Sequence, residues 1–228
     1  MKLLLRAGVK RDIRDPDKLV KHLRRAMNAP LAPSPLPRGI RLQRGKVAGT
    51  AGHWLSPTDP QTTILYLHGG AFIGGRLATY HNFCGHLART LNARVFLPDY
   101  RLAPEHPFPA ATDDAFNVYR ELMADPRPIV IAGDSAGGNL TLVTLLRARD
   151  HKLRMPACAV AISPASDARG NLMSRQANSD SDAMLSHCMI EVATDVYLAG
   201  ADPAHPYASP ITQDLSLIHI SEPTRLPG

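Results

Sequence analysis

The chain has 228 residues, 44% of them hydrophobic and 20% charged, enough for one domain with a sizeable core or a domain with a small appendage. A net charge of +6 would suit a nucleic-acid binder, but nine Lys and Arg against three Asp within residues 1–25 account for the whole excess. No basic–aromatic interleaving is present, so nucleic acid is not an expected partner, and no run is long enough for stable membrane insertion.

"MKLLLRAGVK" has three consecutive leucines before charge returns, too few for an export signal. Cys84, Cys158 and Cys188 are odd in number and widely spaced. They read as reduced thiols of a cytoplasmic protein, and with the scattered histidines they offer no metal-ligand spacing. Neither a metal nor another cofactor is expected.

In chain order, Leu19, Leu23 and Met27 recur every four residues beside Val20, which predicts an amphipathic helix with a basic outer face. Proline-rich "NAPLAPSPLPRG" (28–39) then predicts an extended connector. "TTILYLH" (62–68), "ARVFLPD" (93–99), "PIVIAGD" (128–134) and "PACAVAISP" (156–164) read as buried strands. Between them "NFCGHLARTL" (82–91), "AATDDAFNVYRELM" (110–123) and "GGNLTLVTLLRARD" (137–150) read as helices, and "HCMIEVATDVYL" (187–198) as a later amphipathic one. Apolar strands alternating with helices predict an α/β fold with a mostly parallel sheet covered on both faces. Chemistry is expected at the carboxyl ends of those strands, after residues 68, 134 and 163.

Two of these turns carry it. "GDSAGG" (133–138) is a Gly-x-Ser-x-Gly pattern where a strand hands over to a helix, the setting of a nucleophile elbow. Ser135 would be held up as the nucleophile, with Gly133 and Gly137 keeping the turn free of side-chain clashes. The amide of Ala136 would face developing negative charge at the helix N-terminus. "HGGAF" (68–72) supplies the rest of an oxyanion hole: Gly70 and Ala71 as further amide donors and Gly69 giving room. Together the motifs point to acyl transfer through a serine ester. His68 is expected to order the loop, and Arg101 and Glu105 to act as scaffolding. Asp134 lies on the wrong side of the elbow to orient a histidine.

"HGGAF", "DYRLAPEHPFPAA" (99–111) and "GDSAGGNL" (133–140), in that order, resemble the hormone-sensitive-lipase family of α/β-hydrolases. The match runs on through "SPASD" (163–167), "SDSDAML" (179–185) and "YASPI" (207–211), with Ala71 where the family carries a third glycine. The resemblance implies an α/β-hydrolase fold with a helical cap and a serine carboxylesterase acting on small-molecule esters. It also implies a catalytic acid and histidine beyond the strand that ends at Ser163. After "YASPITQDL" the chain continues as "SLIHISEPTRLPG", a string similar to translated sequencing-adapter DNA. The expected organisation is therefore a cap segment and linker over 1–44, an incomplete hydrolase domain over 45–214 and a non-native tail over 215–228. His219 is then no candidate base, and Asp167, His187 and His205 are weak substitutes. A non-catalytic small-molecule receptor, or an amide or lactone hydrolase, remains an alternative on the same fold. Oligomeric state is not legible.

Overall fold

The computed structural model describes residues 12–28, 35–170, 173–182 and 184–216. The first eleven residues, part of the proline-rich connector, and residues 217–228 of the expected tail, His219 included, lie outside them.

Helix α1 (Pro16–Met27) opens the fold. The Asp15 side chain accepts from the Lys18 amide at 2.9 Å and Pro16 occupies the first helical turn, so the free N-terminal amides and the fixed φ of proline are both used. Leu19, Val20 and Leu23 are buried, as their spacing predicts. The sheet comes next: β1 (Arg41–Val47), β2 (Thr50–Ser56), β3 (Thr62–Leu67), β4 (Ala93–Pro98), β5 (Ile129–Asp134) and β6 (Cys158–Ile162), in spatial order β1-β2-β4-β3-β5-β6. Strands β3 to β6 pair in parallel, and β1 and β2 join antiparallel.

The β1–β2 hairpin has no counterpart among the elements expected from the sequence. Its two-residue turn places Ala48 at φ +50° and Gly49 at +77°, the left-handed pair that matches strand twist. Because β1 is mostly exposed, "RLQRGKV" shows neither an apolar run nor a clean alternation. Pairing starts at Arg41, so residues 41–44, expected in the linker, belong to the sheet.

Helices α2 (Leu77–Thr90), α3 (Ala110–Leu122) and α4 (Ala136–Asp150) cover the sheet. Alternate residues of each buried strand face opposite ways. Ile64, Tyr66, Val95, Leu97 and Ala132 pack with Cys84 and Ala88 of α2. Leu65, Leu67, Phe96, Ile129 and Ile131 pack with Val118, Tyr119, Leu140 and the α1 stripe on the other side. Short α5 (Met173–Ala177) precedes α6 (His187–Leu198), which is capped by Ser186 and ends on Ala199 at φ +48°. The sheet edges differ. Strand β1 presents Arg41, Arg44 and Lys46, charges that discourage further pairing, whereas β6 leaves Val160 45% and Ile162 44% exposed. The buried strand expected over 156–164 is thus an edge among the described residues, open along one side and part of one face.

Candidate active site

Strand β5 ends at Asp134 and α4 begins at Ala136, so Ser135 makes the turn alone, at φ +52° and ψ −114°. An L-residue held there stores about 1–3 kcal/mol, and the surroundings must over-determine it. They do. The Ser135 amide donates to the Ile162 carbonyl at 2.9 Å, and its own carbonyl accepts from Asn139 at 3.1 Å and Ala165 at 3.0 Å. The flanking glycines let the elbow close. A Cβ on Gly133 would sit 2.3 Å from the Gly137 oxygen, and one on Gly137 only 1.8 Å from the Leu67 oxygen. The first turn of α4 therefore lies directly on the end of β3, where the second motif starts.

That motif turns on Gly70, whose φ of +143° suits glycine and whose carbonyl accepts from Ile73 at 3.0 Å and Gly74 at 2.9 Å. Ala71 and Phe72 come next at φ +54° and +59°. Ala71 thus occupies a left-handed position where glycine would be unstrained, an energetic cost that the motif alone does not reveal. The amides of Gly70, Ala71 and Ala136 donate to no acceptor among the described residues, which leaves them available to an incoming oxygen. Gly69 is different. Its amide donates to Asp134 Oδ1 at 3.0 Å and to the Tyr80 hydroxyl at 3.0 Å, so it is already engaged and not open as a donor to the oxyanion hole expected from the sequence; a Cβ there would meet Asp134 Oδ2 at 2.3 Å. Giving room is its part in the loop.

His68 is fully buried, stacked on Tyr100 with ring centres 4.3 Å apart. Its Nδ1 lies 2.9 Å from the Gly69 carbonyl, which can only accept, so the proton sits on Nδ1. Burial lowers its pKa and keeps it neutral. Its contact with Gly69 is of the kind expected of a residue that orders the loop. Asp134, next in sequence to Ser135, receives the Tyr66 hydroxyl at 3.1 Å and the Tyr80 hydroxyl at 3.0 Å. Burial, and then the carboxylate charge, push both tyrosines far above the ordinary range.

Sequence periodicity does not single out Arg24 as a site-supporting residue, because it falls on the polar face of α1. It donates to the Ile73 carbonyl at 2.9 Å and the Ala103 carbonyl at 3.0 Å, and grips Glu105 with both terminal nitrogens. The helix is therefore fastened to the turn that follows Gly70. Phe72 stacks on Tyr197 with ring centres 3.7 Å apart, fastening the same turn to α6.

The substitutes for a base and an acid are otherwise engaged. His187 pairs with Glu191 at 3.1 Å, and His205 Nδ1 accepts from the Tyr207 amide. Asp167, its side chain fully buried, pairs with Arg169; Arg101 grips Asp114. No side chain among the described residues hydrogen-bonds Ser135 Oγ. A cavity of about 770 Å³ between the loop at Arg169 and α6 lies elsewhere: Ser135 does not line it.

The family described as the alpha/beta hydrolase fold matches residues 64–223. An acetyl-hydrolase of Streptomyces hygroscopicus is 37% identical over 73% of this chain and 58% of its own length. An esterase of Acinetobacter venetianus is 34% identical over 77% of this chain and 60% of its own. The chain thus spans about 60% of the length of these relatives. Among solved structures, an esterase from the bacterial hormone-sensitive lipase family superposes with TM-score 0.81 at 32% identity, covering 94% of this chain and 72% of that one. A hormone-sensitive lipase from a metagenome library gives the same TM-score at 31% identity, over 94% and 73%. The chain belongs to the α/β-hydrolase fold family. Its likeness to hormone-sensitive-lipase esterases, first carried by three motifs, extends through the described fold.

Proposed function

We propose that the protein is a serine carboxylesterase acting on small-molecule esters. In this reading Ser135 Oγ attacks the ester carbonyl, and the amides of Gly70, Ala71 and Ala136 hold the tetrahedral oxyanion. One observation carries the reading: a serine on a strained strand-to-helix turn, together with the amides of Gly70, Ala71 and Ala136 that donate to no acceptor among the described residues. That arrangement suits charge that appears only in the transition state. The esterases and acetyl-hydrolase to which the chain is similar support it.

A serine hydroxyl needs a base, and a carboxylate to orient that base. The reading therefore includes a histidine and an acid that complete the relay, and no described side chain hydrogen-bonds Ser135 Oγ in that role. It also keeps the cytoplasmic assignment, supported by three cysteines that are free among the described residues. The test compares hydrolysis of p-nitrophenyl acetate and butyrate by the protein expressed from its source DNA with hydrolysis by Ser135→Ala. Turnover should vanish in the variant, and retained turnover would sink the assignment. A relay without its base should turn over slower by roughly a millionfold.

A further inference from the structure

Asp134 is next to the nucleophile, yet the proposed mechanism gives it no chemical step. Its carboxylate nevertheless collects three donors from three separate elements. Oδ1 accepts from the Tyr66 hydroxyl of β3 and from the Gly69 amide of the oxyanion loop; Oδ2 accepts from the Tyr80 hydroxyl of α2. The Tyr80 oxygen in turn lies 3.0 Å from the Gly69 amide, closing a ring of contacts around that one N–H. Gly69 also abuts Asp134 closely, since a Cβ there would meet Oδ2 at 2.3 Å, and displacing the loop at Gly69 would break this ring.

We infer that Asp134 is the positioning residue of the oxyanion hole, a strut from the elbow that binds the Gly69 amide and so sets the peptide planes of Gly70 and Ala71 relative to Ser135. The inference rests on the esterase reading for its kinetic consequence and on the hydrogen-bond ring for its structural one. The ring also answers an electrostatic objection. A bare carboxylate near a developing oxyanion would oppose the reaction, whereas one saturated by two hydroxyls and an amide has its charge largely taken up. The role needs an acceptor at this place more than it needs the charge. Asparagine can offer its oxygen to Gly69 and its NH2 to the Tyr80 hydroxyl oxygen; alanine can offer nothing.

The experiment uses Asp134→Asn and Asp134→Ala in the protein expressed from its source DNA. It measures kcat and KM on p-nitrophenyl butyrate together with hydrogen exchange of the peptide spanning residues 69–73. Loss of a single oxyanion donor costs roughly 100- to 1,000-fold in kcat, so loosening two of them should cost Asp134→Ala about 100-fold. KM should stay within about twofold, since the defect concerns the transition state. Asp134→Asn should keep at least about a third of wild-type kcat, because the acceptor to Gly69 is restored. Exchange over 69–73 should rise at least about tenfold in Asp134→Ala and little in Asp134→Asn, since a freed amide loses its protection. Equal kcat losses in the two variants, or an alanine variant with wild-type kcat, would overturn the inference. If Asp134→Ala does not fold, Tyr80→Phe, which removes one side of the ring, takes its place with a smaller loss expected in the same direction; an unchanged kcat and exchange rate would overturn the inference there. A wild-type protein without Ser135-dependent hydrolysis would remove the esterase reading alone. The strut would then stand or fall on the exchange data, and unchanged exchange in the variant would refute it.

Discussion

Ser135→Gly should make the protein more stable than Ser135→Ala while both lose Ser135-dependent hydrolysis. Ser135 sits at φ +52° and ψ −114°, and its Oγ makes no hydrogen bond to a described side chain, so the two variants lose the same small contact. They differ in backbone freedom. Alanine keeps the strain of about 1–3 kcal/mol, whereas glycine releases it. Glycine in turn costs about 0.5–1 kcal/mol of extra chain entropy on folding. The net gain is about 1 kcal/mol in favour of glycine, or roughly 2–4 °C in Tm for a chain of this size. Parallel urea and thermal unfolding, followed by circular dichroism, would measure it. A glycine variant no more stable than the alanine variant would show that the elbow stores no strain, and the structural reading of the nucleophile turn would fail with it.

Gly137→Ala places its Cβ 1.8 Å from the Leu67 oxygen, a backbone atom that cannot swing aside, and should lower stability by about 3 kcal/mol or more, read as an earlier urea midpoint. Arg24→Ala removes the bonds to Ile73, Ala103 and Glu105 and should cost about 1–2 kcal/mol with a several-fold fall in kcat; unchanged kcat would show that the α1 clasp does not reach the oxyanion turn. Hydrogen bonding to Arg24 holds the Glu105 carboxyl at about 2, below its ordinary 4.5. A depressed carboxyl stabilises the fold above its unfolded value and stops doing so as pH falls from 4.5 towards 2, so the difference between wild type and Arg24→Ala should shrink across that window. On β6, Val160→Lys should reduce self-association of the 228-residue chain in light scattering, since a charge on an open edge strand discourages pairing; an unchanged size distribution would show that this edge does not drive association.

The central architecture and the strand-to-helix turn at Ser135 are legible in the sequence because each is local. Buried parallel strands are apolar throughout, their helices show a 3.6-residue period, and an elbow needs small residues at fixed offsets from its serine. Strands β3, β4 and β5, helix α3 and the α1 stripe follow from such patterns alone. The β1–β2 hairpin is not legible, since an exposed edge strand carries no burial signal and its turn is Ala48-Gly49 rather than a stronger turn pair.

What the tertiary structure decided is how the turns hold one another. The sequence placed Ser135 after a strand and Gly69, Gly70 and Ala71 after another; only folding brings Gly137 against Leu67 and Gly69 against Asp134. It alone assigns the Gly69 amide to Asp134, leaves those of Gly70, Ala71 and Ala136 without acceptors among the described residues, and recruits Arg24 from a helix that reads as a solvated face. Hydrogen bonds between residues 49 to 81 positions apart leave no periodic trace, because each depends on where whole elements pack rather than on neighbouring side chains.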